Sequence, residues 1–255
     1  ASTAFQYTFT ETTGGAVATG QLNFSVDTTA PVAPTLSLLT DSGTSTTDKI
    51  TNVATVNVGG LETGATWQYQ VDGGSWTAGT GSSFTLTAGS HTYAVKQTDA
   101  AGNIGVASAA VTYNYDTTAP TVSTVAITGA TGIQNSLLNV GDVVSVTVTM
   151  SEAVTVTGTP QLALNIGGTT VQANYSSGSG TSALVFTYTI AAGQTDANGI
   201  SIAANALALN SGTIADTAGN AATLTHTAVT DNASYMVDTT APTVSTVAIT
   251  GATGI

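Results

Sequence analysis

Residues 144–150 read Val-Ser-Val-Thr-Val-Thr-Met, an alternation of apolar and hydroxyl side chains with a period of two. Successive side chains of a β-strand point to opposite faces of the sheet, so this pattern predicts a half-buried strand. Val and Thr are also residues that strands favour. The same alternation recurs at Leu184–Ile190 and at Trp67–Val71. The chain is therefore predicted to be built from β-strands.

Turn signals separate these runs. They are Asp72-Gly73-Gly74, Gly79-Thr80-Gly81, Gly167-Gly168 and Gly178-Ser179-Gly180. No stretch shows a helical period, and short strands at this spacing indicate β-sandwiches. We expect an all-β fold of tandem immunoglobulin-like β-sandwich domains arranged as an extended rod. The first complete domain should have about seven strands, with Trp67 in its core.

The motif Asp-Thr-Thr-Ala-Pro divides the chain. It occurs at Asp27–Pro31, Asp116–Pro120 and Asp238–Pro242, and the 18 residues from Asp116 to Ile133 recur without change from Asp238 to Ile255. The motif spacings of 89 and 122 residues indicate two repeat types. The predicted domains are the C-terminal strands of a preceding repeat (1–26), a short Ig-like domain (27–115), a long Ig-like domain (116–237) and the first strand of the next repeat (238–255). Because proline restricts its own φ and the preceding residue, such joints favour a semi-rigid rod.

Charge is scarce and one-sided. Charged residues make up 6% of the chain, with 14 acids against two bases and a net charge of −12. Such a surface repels nucleic acid and anionic lipid, because both are bound through Lys and Arg. The chain has no Cys for disulfides or thiolate metal sites, and no apolar run long enough for membrane insertion. Eleven of the acids are Asp, a residue that favours loops, and there is almost no Lys to pair with them. This surplus of carboxylates predicts a bound divalent cation.

Several short motifs are shared with a known class of repeats. Those of residues 27–115 are Asp27–Pro31, Val71-Asp72-Gly73-Gly74-Ser75-Trp76 and Gln97-Thr98-Asp99-Ala100-Ala101-Gly102-Asn103. Those of residues 116–237 are Gly141-Asp142-Val143, Met150-Ser151-Glu152-Ala153-Val154, Asn198-Gly199-Ile200 and Asp216-Thr217-Ala218-Gly219-Asn220. On these motifs the chain resembles the bacterial Ig-like repeats of giant surface adhesins and biofilm-associated proteins. The resemblance implies an extended, secreted stalk at the bacterial cell surface, with neighbouring repeats as partners and calcium stiffening the joints.

Predicted loop positions bring acidic residues together. In a sandwich whose strands alternate in direction, the N-terminal linker and the B–C and F–G loops share one end. The first complete domain then gathers Asp27, Glu62, Asp99 and Asn103, and the second gathers Asp116, Glu152, Asp216 and Asn220. Asp41 and Asp48, in the A–B loop, face the joint that begins at Asp116, and Asp238 opens the next repeat. Calcium takes six to eight oxygen ligands, so these residues are candidate calcium ligands.

The same residues also have a structural interpretation. Asp27, Asp116 and Asp238 fit turn caps, in which a carboxylate accepts hydrogen bonds from nearby backbone N–H groups. The pattern Asp-x-Ala-Gly-Asn is a good tight turn, because Gly and Asn tolerate positive φ. The sequence leaves metal ligation and turn capping open for these positions.

No catalytic constellation emerges from the sequence. A hydrolase needs a nucleophile, a base and an orienting group. The histidines are His91, at the predicted start of a strand, and His226, within the alternating run Leu224–Thr227. The three Glu residues fall in three different modules, which argues against a paired-carboxylate glycosidase. We expect that the chain is not an enzyme but a structural spacer of a large secreted protein.

Two alternative functions remain. The strand-like runs Phe5–Phe9 and Leu22–Val26, together with the lone strand at 238–255, could pair with other copies of the chain, which would make it a subunit of an extracellular filament or surface layer assembled by strand addition. Trp76, Tyr113 and Tyr115 could instead form the sugar-stacking surface of a carbohydrate-binding module.

Overall fold

The computed structural model describes the backbone of residues 3–13 and 16–251, and the side chains of Thr8 and of residues 25–251. Within these residues the secondary structure consists of strands, turns and irregular segments, with no helix, and the predicted all-β class is confirmed. No helix that could cross a membrane is found in that part of the chain. The chain divides into two compact units, residues 1–117 and 118–255, and the division falls within the motif Asp116–Pro120.

The first unit contains strands β1 to β10. They are β1 (Thr3–Thr13), β2 (Ala16–Val26), β3 (Thr35–Leu38), β4 (Ile50–Thr51), β5 (Thr55–Gly59), β6 (Thr66–Val71), β7 (Thr77–Ala78), β8 (Ser83–Thr85), β9 (Gly89–Thr98) and β10 (Val111–Tyr115). Strands β1 and β2 pair antiparallel as a two-stranded sheet of their own. The others form a three-stranded sheet in the order β3-β5-β8 and a five-stranded sheet in the order β4-β10-β9-β6-β7.

Both of these larger sheets contribute to one hydrophobic core. Val56 and Val58 of β5 and Phe84 of β8 pack with Trp67 of β6 and Tyr93 of β9. The ring centroids of Phe84 lie 6.2 Å from Trp67 and 5.4 Å from Tyr93, within the range of favourable aromatic pairs. Trp67 is buried, as predicted. Residues 27–115 hold eight strands instead of seven, because the short β4 adds to β10 in parallel.

The second unit contains strands β11 to β20. They are β11 (Val122–Thr131), β12 (Leu137–Leu138), β13 (Val143–Thr157), β14 (Gln161–Ile166), β15 (Thr169–Ser177), β16 (Thr181–Thr189), β17 (Thr195–Asp196), β18 (Leu207–Ala208), β19 (Thr213–Ala215) and β20 (Met236–Asp238). A large sheet has the order β11-β13-β16-β15-β14-β18, with β19 paired to β13, and a three-stranded sheet has the order β12-β20-β17.

The alternating residues 144–150 contribute to the core of this unit. Val144, Val146 and Val148 of β13 are fully buried, together with Leu184 and Phe186 of the neighbouring β16. The hydroxyl residues between the valines lie at the half-buried positions of β13. The arrangement of several sheets around a buried core is consistent with a β-sandwich.

One predicted strand is wrong. Leu224–Thr227 forms no strand, although its residues alternate. The backbone N–H of His226 donates to Oδ1 of Asn205, and its carbonyl accepts the N–H of Asn205. The Nε2 atom of the same histidine accepts the N–H of Ala206 at 2.8 Å. Because a loop already satisfies these backbone groups, the segment does not pair along a strand ladder.

Candidate metal site

Three carboxylates form one group: Glu152 and Asp216 of the second unit, and Asp116, which stands two residues before residue 118, where that unit begins. One oxygen each from Asp116, Glu152 and Asp216 lies within 4.8 Å of the other two. We call this group the acidic cluster. Asp216 is buried, with 2% of its surface exposed, and the other two residues are half-buried. Among the described residues, no other group of three or more His, Cys, Asp or Glu meets this criterion.

A tight turn holds Asp216 at the end of β19. Its Oδ1 atom accepts the N–H groups of Gly219 at 2.7 Å and Asn220 at 2.8 Å, and its Oδ2 atom accepts the side-chain amide of Asn220 at 2.8 Å. Gly219 has φ +95°, a conformation that favours glycine. These hydrogen bonds fix the orientation of the Asp216 carboxylate.

A β-bulge places Glu152 beside this turn. The pairing of β13 with β16 shifts register between Thr149 and Val154, and Glu152 lies within the shifted stretch. Immediately afterwards, Thr155–Thr157 pair with β19, the strand that ends at Ala215. The prediction that Glu152 lies in the B–C loop between two strands is wrong, because β13 runs unbroken from Val143 to Thr157.

Asp116 precedes a well-anchored segment. The carbonyl of Thr121 accepts the N–H of Ser151, whose hydroxyl accepts the N–H of Thr121 at 2.9 Å. The carbonyl of Pro120 accepts the N–H of Thr223. These hydrogen bonds hold Thr121 beside Ser151, the residue before Glu152, and Pro120 beside Thr223, which follows the turn of Asp216 in sequence. They fix the position at which the chain enters the second unit.

The corresponding loop of the first unit has the same turn without the cluster. Asp99 accepts the backbone N–H of Asn103 at 2.8 Å and its side-chain amide at 2.9 Å. These hydrogen bonds, that of the Asn103 amide above all, lower the pKa of Asp99. The Asn103 amide also donates to the carbonyl of Asp27 at 3.0 Å. Asp27, Glu62 and Asp99 are not among the groups whose oxygens meet within 4.8 Å, and calcium ligation there stays a prediction.

Glu62 lies in the loop between β5 and β6 and is exposed. Its backbone N–H donates to the buried side chain of Gln97 at 2.9 Å. The amide of Gln97 donates in turn to the carbonyls of Val32 and Gly60. The buried Gln97 side chain thus links the backbone at Val32, Gly60 and Glu62.

The remaining candidates act as turn caps in the structure. Oδ1 of Asp27 accepts the N–H of Thr29 at 3.0 Å, and Oδ1 of Asp238 accepts that of Thr240 at 2.9 Å. Asp41 accepts the N–H of Lys49, and Asp48 accepts that of Ile50, each at 3.0 Å. Neither Asp41 nor Asp48 belongs to the acidic cluster, although the other oxygen of Asp41 is buried without a hydrogen-bond partner.

Sequence reasoning missed a hydrogen-bonded Asp–His pair in the first unit. Asp72 and His91 lie 2.6 Å apart, between Oδ2 and Nδ1. The other Asp72 oxygen accepts the N–H of Thr92, which is the largest cause of the lowered pKa of Asp72, and the His91 side chain is the next. The Asp72 carboxylate raises the pKa of His91. The strand register could have indicated this pair. Val71 pairs with Tyr93, so residues 72 and 92 lie opposite one another and Asp72 comes close to His91.

The aromatic residues proposed for sugar stacking are mostly engaged. Tyr113 is buried in the core of the first unit. Trp76 is half-buried, and the Lys96 ammonium lies 4.3 Å from the centre of its ring, so this cation covers one face of the indole.

Comparisons with known proteins add no relative to this picture. The chain matches no protein-family model, and a search of curated proteins found no significant similarity. The residues of this chain and their geometry are therefore the evidence for its function.

Proposed function

We propose that this chain is a structural spacer, a stalk segment of a large secreted bacterial surface adhesin or biofilm matrix protein. The observation that carries the proposal is that each unit buries a hydrophobic core of its own. Units with separate cores transmit force without depending on a ligand, and tandem repetition of such units gives length. The 18-residue duplication supports a chain built by repetition. Binding to other molecules is then done elsewhere in the parent protein.

The acidic cluster supports a calcium site within this spacer. All its donors are oxygens, as hard cations prefer, and Asp216 is already oriented by three hydrogen bonds. Asp116, Glu152 and Asp216 would hold the ion, with the remaining ligands coming from carbonyls and water. Extracellular calcium modules bind with dissociation constants of about 10⁻⁴–10⁻³ M, a range that a site with three carboxylates suits. The ion would neutralise carboxylates that otherwise repel one another.

A non-catalytic role fits the state of the histidines. His91 is paired with Asp72, and its Nε2 atom lies 3.2 Å from the carbonyl of Ala88. His226 is bonded through both ring nitrogens to backbone groups. Both rings therefore have hydrogen-bond partners within the chain, which supports a structural role for the two histidines. The net charge of −12 supports the absence of nucleic-acid partners.

Small-angle X-ray scattering with and without calcium tests the spacer proposal. The chain should scatter as a less flexible particle in calcium than in EDTA, and Glu152→Gln should respond less than the wild-type chain at the same calcium concentration. Glu62→Gln, which alters a glutamate outside the acidic cluster, is the matched control and should retain the calcium response. Identical scattering of the wild-type chain in both buffers would contradict calcium stiffening.

A further inference from the structure

A loop of the second unit is fixed at both of its ends. It comprises residues 224–228, which form no strand. Just before it, the N–H of Thr223 donates to the carbonyl of Pro120. Just after it, Val229 and Ile202 exchange backbone hydrogen bonds in both directions. What holds the middle of the loop therefore decides whether it is closed or open.

The middle of the loop is held through one histidine. The N–H of His226 donates to Oδ1 of Asn205 at 3.0 Å, and its carbonyl accepts the N–H of Asn205. The ring contributes a third bond, because Nε2 accepts the N–H of Ala206 at 2.8 Å. These bonds fasten the loop to the turn that leads into β18, a strand at the edge of the large sheet.

The ring can make its bond in one protonation state only. A backbone N–H is a donor, so the ring nitrogen that receives it must carry a lone pair and no proton. The proton of the neutral ring is therefore on Nδ1, which lies 2.8 Å from the carbonyl of Thr227 and donates to it. A doubly protonated ring would place the N–H of Nε2 against the N–H of Ala206. The closed loop thus requires a neutral His226.

The surroundings of the ring supply no charge that would stabilise its protonated form. Residues 122–125, 203–206 and 224–227, which surround the ring, include no Asp, Glu, Lys or Arg. No carboxylate of the described residues lies within 4.0 Å of the ring. Asp231, the nearest acid along the chain, accepts the side-chain amide of Asn198. Protonation would therefore cost the bond to Ala206 without a compensating ion pair.

We propose that His226 is an acid-sensitive switch: the neutral ring closes loop 224–228 on Ala206, and protonation of the ring opens it. Opening widens a cavity of about 350 Å³ that the loop shares with Val122 and Val125 of β11. Both valines are half-buried and pack against the core of the second unit, so an open loop exposes apolar surface. The switch goes beyond the spacer role, because it needs neither calcium nor a mechanical load.

The two histidines of the chain should respond to acid in opposite ways. In the first unit, the hydrogen bond between His91 and Asp72 raises the pKa of His91, so protonation favours the folded state. In the second unit, His226 accepts a hydrogen bond from a backbone N–H, so protonation favours the open loop. Mild acid is therefore expected to loosen the second unit alone.

The position of the proton on His226 is the first test. ¹⁵N NMR of the full chain with labelled histidine, at about pH 7.5, where an ordinary histidine is neutral, should show Nδ1 protonated and Nε2 unprotonated. His91→Gln leaves one histidine in the chain and assigns the signal. A proton on Nε2 at this pH overturns the proposal, because that nitrogen could not accept the N–H of Ala206. This measurement needs no substitution at residue 226, so it decides the matter even where such a variant fails to fold.

Hydrogen exchange measures the opening itself. An exposed histidine has a pKa of about 6.5, so a loop that closes only on the neutral ring should have an opening constant about 30-fold larger at about pH 5 than at about pH 7.5. The protection factor of the Ala206 amide, which corrects for the intrinsic pH dependence of exchange, should fall by about the same factor in the wild-type chain.

Two variants separate the switch from a general effect of acid. His226→Gln offers an amide oxygen that can accept the N–H of Ala206 without titrating, so its protection factor should not fall. His91→Gln, the matched control in the first unit, should behave as the wild-type chain does at Ala206. A protection factor that does not change with pH in the wild-type chain, or that falls equally in His226→Gln, refutes the switch.

Discussion

Replacing Glu152 with Gln should remove most of the calcium-dependent stability of the second unit. Glu152 supplies one of the three carboxylate oxygens that lie within 4.8 Å of one another. Glutamine has nearly the same size, so the bulge in β13 is retained while the acidic cluster loses one of its three charges. Loss of a charged ligand weakens calcium binding, because affinity depends on the number of carboxylates.

The magnitude follows from linkage. A ligand that binds only the folded state stabilises it by RT ln(1 + [L]/Kd). For dissociation constants of about 10⁻⁴–10⁻³ M, about 5 mM calcium contributes about 1–2.3 kcal/mol. This corresponds to a rise in melting temperature of about 2–9 °C. A tenfold weaker site in Glu152→Gln would retain about 1 kcal/mol or less.

The positions of the tryptophans make the assay specific. Both tryptophans, Trp67 and Trp76, belong to the first unit, so tryptophan fluorescence follows that unit while differential scanning calorimetry follows the whole chain. Calcium should raise the calorimetric transition that fluorescence does not report. The Glu62→Gln control should respond as the wild-type chain does. A calcium shift of equal size in Glu152→Gln, or no shift in the wild-type chain, would refute the assignment of the site.

Two further predictions concern one unit each. The Asp72 carboxylate raises the pKa of His91 above its ordinary value of about 6.5. The first unit is therefore stabilised below that pH and loses this stability as the pH rises through the folded-state pKa. Urea midpoints measured by fluorescence at about pH 6 and about pH 8 should differ, and His91→Gln should abolish the difference. Gly199→Ala should destabilise the second unit by at least about 3 kcal/mol in calorimetry, because Gly199 has φ +96° and a Cβ there would lie 2.0 Å from the carbonyl oxygen of Asn232. Gly193→Ala is the matched control: with φ +85° and no atom within 4 Å of its Cβ, it should cost only about 1–2 kcal/mol. Equal losses in the two variants would contradict this steric account.

The strand pattern could be predicted where alternation is long and apolar. The buried face of β13 consists of the valines predicted for it. When only one face of a strand is buried, an alternation with a period of two determines which residues lie on that face. The run at Leu224–Thr227 has the same period but forms no strand. The backbone of His226 is bonded to Asn205, and its ring accepts the N–H of Ala206. No local sequence pattern reveals this competition.

The acidic cluster could be predicted in part. Four residues were proposed for the second domain, and the three carboxylates among them, Asp116, Glu152 and Asp216, do meet. The fourth, Asn220, donates to Asp216. The carboxylates proposed for the first domain do not form such a group. The reason lies in the glutamates. Glu152 lies at a bulge within β13, whose neighbouring residues pair with β19, and Glu62 lies on an exposed loop. Sequence alone did not distinguish a bulge from a loop.

Single-molecule force spectroscopy tests the central claim most directly, since it measures whether two independently folded units resist extension. Pulling the chain by its ends should give two separate unfolding events, with contour-length increments approaching about 42 nm and 50 nm for units 1–117 and 118–255, at about 3.6 Å per residue. Calcium should raise the force of the longer event alone. A single event for the whole chain, or extension without a force peak, would contradict the spacer account.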